Sequence, residues 1–261
     1  MRRVGIHWEM QAVDTALLPE KAKSLGYDQL ELDGLALLEM SPWGRKRLLF
    51  EARNNQMDLS YALVPPVGWD LSSLDEDVRR SAVHRMQELM KLLGELGGGS
   101  LSGPLYAQHS FNEPYAAHKA EHWDQSVKSL RSLTSVAEEE DVVLNLRPVN
   151  RYEHCLVNTA EQALKLIHAV NHPNFGIDLD TFHMNIEERS LSKAIEQAGI
   201  YLHCLHVREN NGLPVGQGCL DWNSVEAGLT AIHYAGPIVH TIGSANSGDA
   251  SALRELLCDF H

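Results

Sequence analysis

No stretch of the 261-residue chain approaches eighteen consecutive apolar residues, so no membrane-spanning helix is expected. Its start, Met1-Arg-Arg-Val-Gly-Ile-His-Trp8, has a basic pair without the apolar stretch of a secretory signal. A concentrated basic face is also missing: Lys+Arg 22 stand against Asp+Glu 35, a net charge of −13 with His neutral. Such a chain repels phosphate backbones and anionic membranes, so neither nucleic acid nor membrane is expected as a partner. Cys155, Cys204, Cys219 and Cys258 lie far apart with no CxxC. That reads as reduced thiols of a cytoplasmic protein, not as a disulfide or zinc framework. Linkers and low-complexity segments are absent, so residues 1–261 are read as one domain.

What the sequence does contain is alternation. Apolar strand segments at Val4–Ile6, Gln29–Leu32, Asp58–Leu63, Gly99–Leu101, Val142–Leu146, Phe175–Leu179, Tyr201–Val207 and Pro237–Thr241 are separated by helix patterns. The clearest helix is expected to open at Ser73, in capping-box spacing with Glu76. Its stripe of Val78, Ala82, Met86, Leu89, Leu93 and Leu96 follows one helix face, which is core packing. Eight β-then-α units in about 250 residues predict a single (β/α)8 barrel with parallel strands and right-handed crossovers. The first strand-to-helix turn lacks the glycine-rich phosphate loop of a doubly wound sheet, which disfavours that rival.

Barrel chemistry belongs at the C-terminal strand ends. Those ends carry His7-Trp8-Glu9, Glu31 and Asp33, Gly103 to Tyr106, and Asn145, Arg147, Asn150, Arg151 and Glu153. Further round come Asp178, Asp180 and His183, then His203, His206 and Glu209, then His240 and Thr241. A packing role competes at several positions. His203, in mid-strand, is expected to be a satisfied core histidine, and Trp8, Trp69, Tyr106 and Phe111 either wall a pocket or pack. Asp178 differs, because a carboxylate in the run Phe-Gly-Ile-Asp-Leu-Asp180 must be paired or metal-bound.

The stretches Arg147-Pro-Val-Asn-Arg-Tyr-Glu153, Asn158-Thr-Ala160 and Asp180-Thr-Phe-His-Met-Asn-Ile-Glu-Glu188 closely resemble the D-tagatose/D-psicose 3-epimerase branch of the xylose-isomerase-like barrels. His206 and Gly216-Gln-Gly-Cys-Leu-Asp-Trp222 continue the match. The resemblance implies a free keto-sugar as substrate. It also implies a divalent ion, typically manganese, held by Glu, Asp, His and Glu, the two glutamates moving the C3 proton. Asp180 and His206 match the middle two ligands, while Glu153 and His183 match residues that hold substrate oxygens. The first ligand glutamate falls on Arg147 and the last on Thr241, whose neighbour His240 should point the other way. An arginine of the seventh-strand loop falls on Gly212, and the basic residue of a Gly-Arg-Gly turn on Gln217.

Arginine cannot ligate a metal and keeps its charge. Arg147 is therefore expected to replace the ion, forking onto Asp180 or Asp178, with His206 taken as neutral. No cofactor is expected; if there is one, it is manganese, with Asp180 and His206 as residual ligand positions. The expected activity is that of a sugar isomerase or epimerase on a small sugar or sugar acid. Glu153, Arg147 and His183 are the expected catalytic residues. Asp180, His206, Glu209, Trp8, Tyr106 and Asn150 are expected to bind substrate. The alternative is a sugar or sugar-acid binder that has lost catalysis, with Arg147, Arg151 or Arg208 clamping a carboxylate. Association into a homo-oligomer is an expectation from the resemblance only.

Overall fold

The computed structural model describes residues 2–8, 14–109, 113–241 and 250–257. Glu9, Phe111 and Cys258 lie outside them. Eight parallel strands close into a barrel in sequence order: β1 (Val4–Trp8), β2 (Gln29–Asp33), β3 (Asp58–Ala62), β4 (Gly99–Gly103), β5 (Val142–Leu146), β6 (Phe175–Asp180), β7 (Leu202–Val207) and β8 (Ile238–Thr241). β1 closes the ring against β8, with Val4 opposite Ile238 and His7 opposite Thr241. Outside lie α1 (Leu18–Ser24), α2 (Gly34–Glu39), α3 (Pro42–Asn54), α4 (Glu76–Glu95), α5 (Glu113–Ala117), α6 (Lys119–Glu139), α7 (Ala160–Val170), α8 (Thr181–Glu187), α9 (Leu191–Ala198), α10 (Trp222–Ala231) and α11 (Ser251–Leu257). No helix among the described residues is long and apolar enough to cross a membrane.

Period-two alternation sorts each strand. Leu30 and Leu32 of β2, Leu144 and Leu146 of β5, and Ile177 and Leu179 of β6 are buried in the layer shared with the helices. Their neighbours Gln29, Glu31, Asn145, Asp178 and Asp180 are buried as well, but polar. The apolar core is therefore the strand–helix layer, and the inside of the barrel is a polar column.

Side-chain caps set most helix starts. Thr159 accepts from the Gln162 amide while the Gln162 side chain accepts from Asn158, and Asp221 accepts from Ser224. At α4 the expected cap moves by two residues: Asp75 accepts from the Asp77 and Val78 amides, and Ser73 accepts from Asp75 instead. The carboxylate faces the positive helix end, which favours it over the hydroxyl. Short α2, α5 and α8 have too few turns to show a stripe, and the sequence did not reveal them.

β7 carries an irregularity. Ile177 pairs with Leu202, but Asp178 pairs with Cys204, so His203 is the extra residue of a bulge. His203 consequently turns into the barrel, where its Nδ1 meets Asn145 Oδ1 at 3.1 Å. A side chain at Gly176 would collide with that ring. The sequence reading of His203 as a core histidine is corrected: it lines a cavity of about 580 Å3 at the N-terminal mouth, with Gln29, Ser60 and Asn145. That mouth is opposite to the one where barrel chemistry sits.

His240 faces outward, as its strand parity requires, and bonds the Tyr27 hydroxyl at 2.8 Å. His154 is 3% exposed, its Nδ1 accepting from the Leu156 amide at 3.1 Å. Burial pushes both imidazoles down to about 4, so the fold holds them neutral. Unfolded, they titrate near the ordinary imidazole value of about 6.5. Stability is then expected to fall as pH drops from about 6.5 to about 4, by roughly 2–3 kcal/mol for each histidine. Urea unfolding of the wild type and of His240→Gln across that range checks it: the variant should show the smaller fall.

Candidate active site

At the C-terminal mouth, four side chains from four strands form one ionic cluster. Arg147, just past β5, donates from Nε to Asp178 Oδ2 at 2.6 Å, with its Nη2 at 2.5 Å from the same oxygen. The other oxygen, Asp178 Oδ1, receives His206 Nδ1 at 2.7 Å, and His206 Nε2 reaches Glu31 Oε2 at 2.8 Å. His7 Nδ1 meets that same Glu31 oxygen at 2.9 Å. Arg147 is 12% exposed at its side chain; Asp178, His206 and Glu31 are essentially sealed.

With a carboxylate on each ring nitrogen, His206 is a doubly protonated imidazolium. Burial and Arg147 oppose its charge, but Asp178 and Glu31 overcome them and raise its pKa well above the ordinary value. Burial would likewise raise the Glu31 carboxyl, yet His206 and His7 bring it far down. This corrects the expectation of a neutral His206. The Arg147 Nη2 lies 2.9 and 3.0 Å from the two ring nitrogens of His206. An in-plane atom so placed would strike the carbon between them, so the guanidinium rests on the ring face. Two cations in contact with each other and hydrogen-bonded to two carboxylates replace the single fork foreseen, and the partner of Arg147 is Asp178.

The segment Asp180 to Glu188 builds the rest of the rim, residue by residue. Asp180 caps α8 by accepting from the Phe182 amide at 2.8 Å. Burial would raise its pKa, but His183, Arg208, Arg147 and His206 outweigh that and bring it to about 2. The Thr181 hydroxyl donates to the Arg208 carbonyl at 2.9 Å and accepts from the Arg208 amide at 3.1 Å, clipping the end of β7 to the start of α8. Phe182 carries the Arg208 guanidinium 4.0 Å above its ring. His183 Nδ1 accepts from the Asn150 amide at 3.2 Å and lies 3.7 Å from Glu153 Oε1. Asn150 Nδ2 also donates to that Glu153 oxygen, at 3.1 Å. Glu187 takes Arg151 through Nε and Nη2 at 2.9 and 2.8 Å, and Glu188 takes the Ala160 amide at 2.7 Å.

Two expected substrate contacts are consumed elsewhere. Tyr106 is fully buried, its hydroxyl donating to the Val157 carbonyl at 3.0 Å, and presents no surface to a pocket. Glu209 accepts from Trp222 Nε1 at 2.6 Å and the Gly216 amide at 2.9 Å, pinning the Gly216-Gln-Gly218 loop. Trp8 is half-buried at the end of β1 with Lys21 Nζ 4.7 Å from its ring centroid. Arg151 is spent on Glu187. Glu31 is the residue that sequence reasoning undervalued: it sits among Leu30 and Leu32 much as Asp178 sits among Ile177 and Leu179, and the same argument for a buried partner applied.

The metal positions that the resemblance implies are now Arg147, Asp180, His206 and Thr241. The first is a cation, His206 has both nitrogens committed, and the Thr241 hydroxyl is buried with no partner among the described residues. Asp178, Cys204 and His206 do bring three donor atoms within 4.8 Å of one another. Both Asp178 oxygens are already bonded, however, and burial pushes the Cys204 thiol up to about 11, keeping its proton on. As arranged, this donor set does not fit a divalent ion.

Asp178→Asn should leave Arg147 and His206 short of a counter-charge in a dry site. The expected cost is about 3–5 kcal/mol of unfolding free energy in urea. A loss below about 1 kcal/mol would mean that the cluster does not organise the rim.

Residues 19–257 match the family model described as xylose isomerase-like TIM barrel. The D-psicose 3-epimerase of Ruminiclostridium cellulolyticum is 35% identical, over 89% of this chain and 80% of the relative. The L-ribulose 3-epimerase of Mesorhizobium japonicum is 30% identical, over 90% and 79%. Among solved structures, D-psicose 3-epimerase with D-tagatose from Clostridium cellulolyticum superposes with a TM-score of 0.88 at 32% identity, covering 97% of this chain and 89% of that one. The chain belongs to the xylose isomerase-like TIM barrel family, in its ketose 3-epimerase branch.

Proposed function

We propose that the protein is an isomerase-type enzyme that moves a proton on the carbon beside the carbonyl of a small sugar or sugar acid. We further infer that it does so without a divalent ion, Arg147 and His206 supplying the positive charge. The observation that carries this reading is the Arg147 guanidinium held on Asp178 at 2.6 Å and laid over the His206 ring. Fixed cations in a water-poor site stabilise a developing enediolate oxygen without reorganising at the moment of reaction.

Glu153 is the base in this scheme. Its side chain is 33% exposed, and Asn150 Nδ2 steadies one oxygen by donating to it at 3.1 Å. Because His183 Nδ1 accepts from the Asn150 amide, which can only donate, the neutral ring carries its proton on Nε2 and offers it to a substrate oxygen. Asp180 orients hydroxyls, His206 acts through its charge alone because Asp178 and Glu31 hold both its ring nitrogens, and Glu209 acts through the loop that it pins. Thr241 provides no second base. A 1,2 proton shift, which one base on one face can run, is thus better supported than inversion, which needs a base on each side. The same Thr241 supports the second reading, a sugar or sugar-acid binder without turnover.

Incubation in D2O with a panel of ketoses and aldoses tests the proposal. Deuterium should enter the carbon next to the carbonyl of at least one sugar, and Glu153→Gln should slow it at least about 100-fold. Binding without exchange across the panel selects the second reading. Dialysis against a chelator should leave the rate unchanged, and manganese should not raise it; a manganese-dependent rate overturns the metal-free mechanism.

A further inference from the structure

Arg208 differs from the other cations of the rim. Arg147 is bonded to Asp178 and Arg151 to Glu187. The guanidinium of Arg208 stacks on Phe182 instead, and its Nε is buried without a hydrogen bond, 3.5 Å from Asp180 Oδ1. The Arg208 side chain keeps 33% of its surface exposed. The Thr181 clip fixes its backbone on both sides of the peptide.

Beyond that ion pair with Asp180, made through Nε, the group that the outer end of the guanidinium meets is a donor. Arg208 Nη2 lies 3.5 Å from His183 Nε2. The orientation of the Asn150 side-chain amide is set, because its Oδ1 accepts from the Tyr152 amide at 3.0 Å. Its Nδ2 and the Asn150 backbone amide therefore both donate toward His183 Nδ1, at 2.9 and 3.2 Å. The His183 proton is driven to Nε2, and two N–H groups face each other with no acceptor between them. Converging donors of which one is a fixed cation fit an anionic oxygen.

We infer that Arg208 and His183 Nε2–H form a subsite for an anionic terminal group of the substrate, a carboxylate or a phosphate on a sugar-sized chain. Gly212 stands where the resemblance implied an arginine on this loop, and the cation present here is Arg208, four residues nearer the strand and on an aromatic platform. The inference rests on the reading of this rim as a sugar site and narrows it to acidic sugars.

Binding to the wild-type protein, measured by calorimetry, tests it with matched pairs: D-gluconate against D-glucitol, D-galactonate against galactitol, and glucitol 6-phosphate against glucitol. Each pair differs in one anionic group. At least one anion should bind 10-fold or more tighter than its neutral partner, and the arm that shows it assigns carboxylate or phosphate. Arg208→Gln should bring that ratio to within about 2-fold of one, while Arg208→Lys should keep part of it. A ratio near one in the wild type, or one that Arg208→Gln leaves intact, overturns the subsite. Failure is separable from failure of the enzymatic reading: neutral ketoses that exchange deuterium without any anion preference sink the subsite alone. Anion preference without exchange sinks catalysis alone.

Discussion

Two carboxylates and two cations, locked inside a polar barrel that is wrapped by a shell rich in leucine, isoleucine and valine, hold the C-terminal mouth in its shape. Asp178 is the hub, with one oxygen on Arg147 and the other on His206. Glu31 closes the cluster from the far side of the ring and reaches His7. Any one of these charges would be expensive alone at this depth, and together they offset one another, with Glu31 Oε1 left buried and without a hydrogen-bond partner among the described residues. The cluster also ties β1, β2, β5, β6 and β7 to one another across the axis, which backbone pairing around the wall does not do.

The polar column explains why the barrel needs its helices. With Gln29, Glu31, Ser60, Ser102, Asn145 and Asp178 inside, the interior contributes little apolar burial. The hydrophobic driving force comes from the layer between strands and helices, where α4 and α6 set Met86, Leu89, Leu130 and Leu133 at or near zero exposure. Specificity of the ring thus comes from polar pairing, and cohesion from the shell around it.

Much of this was legible in the sequence. Eight period-two runs separated by helix stripes fixed the barrel, and the strand β5 and helix α9 fall where the pattern put them. Asp178, recognised as a carboxylate that needed a partner, has two. The misses share a cause: they depend on distance between residues far apart in the chain. That Glu31 lies 175 positions from its His206 partner cannot be read from either neighbourhood. The neutral charge first assigned to His206 failed for the same reason, since its protonation follows from two carboxylates on different strands. Tyr106 looks like a pocket wall from its place at a strand end, but its hydroxyl is claimed by a carbonyl 51 residues away.

The bulge in β7 has a wider meaning for how this strand can change. One extra residue lets a single strand present His203 to the lower opening and His206 to the upper one, although three positions apart they should face opposite ways. In a strand without the bulge, strict alternation would put residues three apart on opposite faces, and one of the two imidazoles would point into the leucine-rich shell. Both histidines can share the lumen only while the kink between them is kept, so the two ends of the lumen are tied together through this one strand.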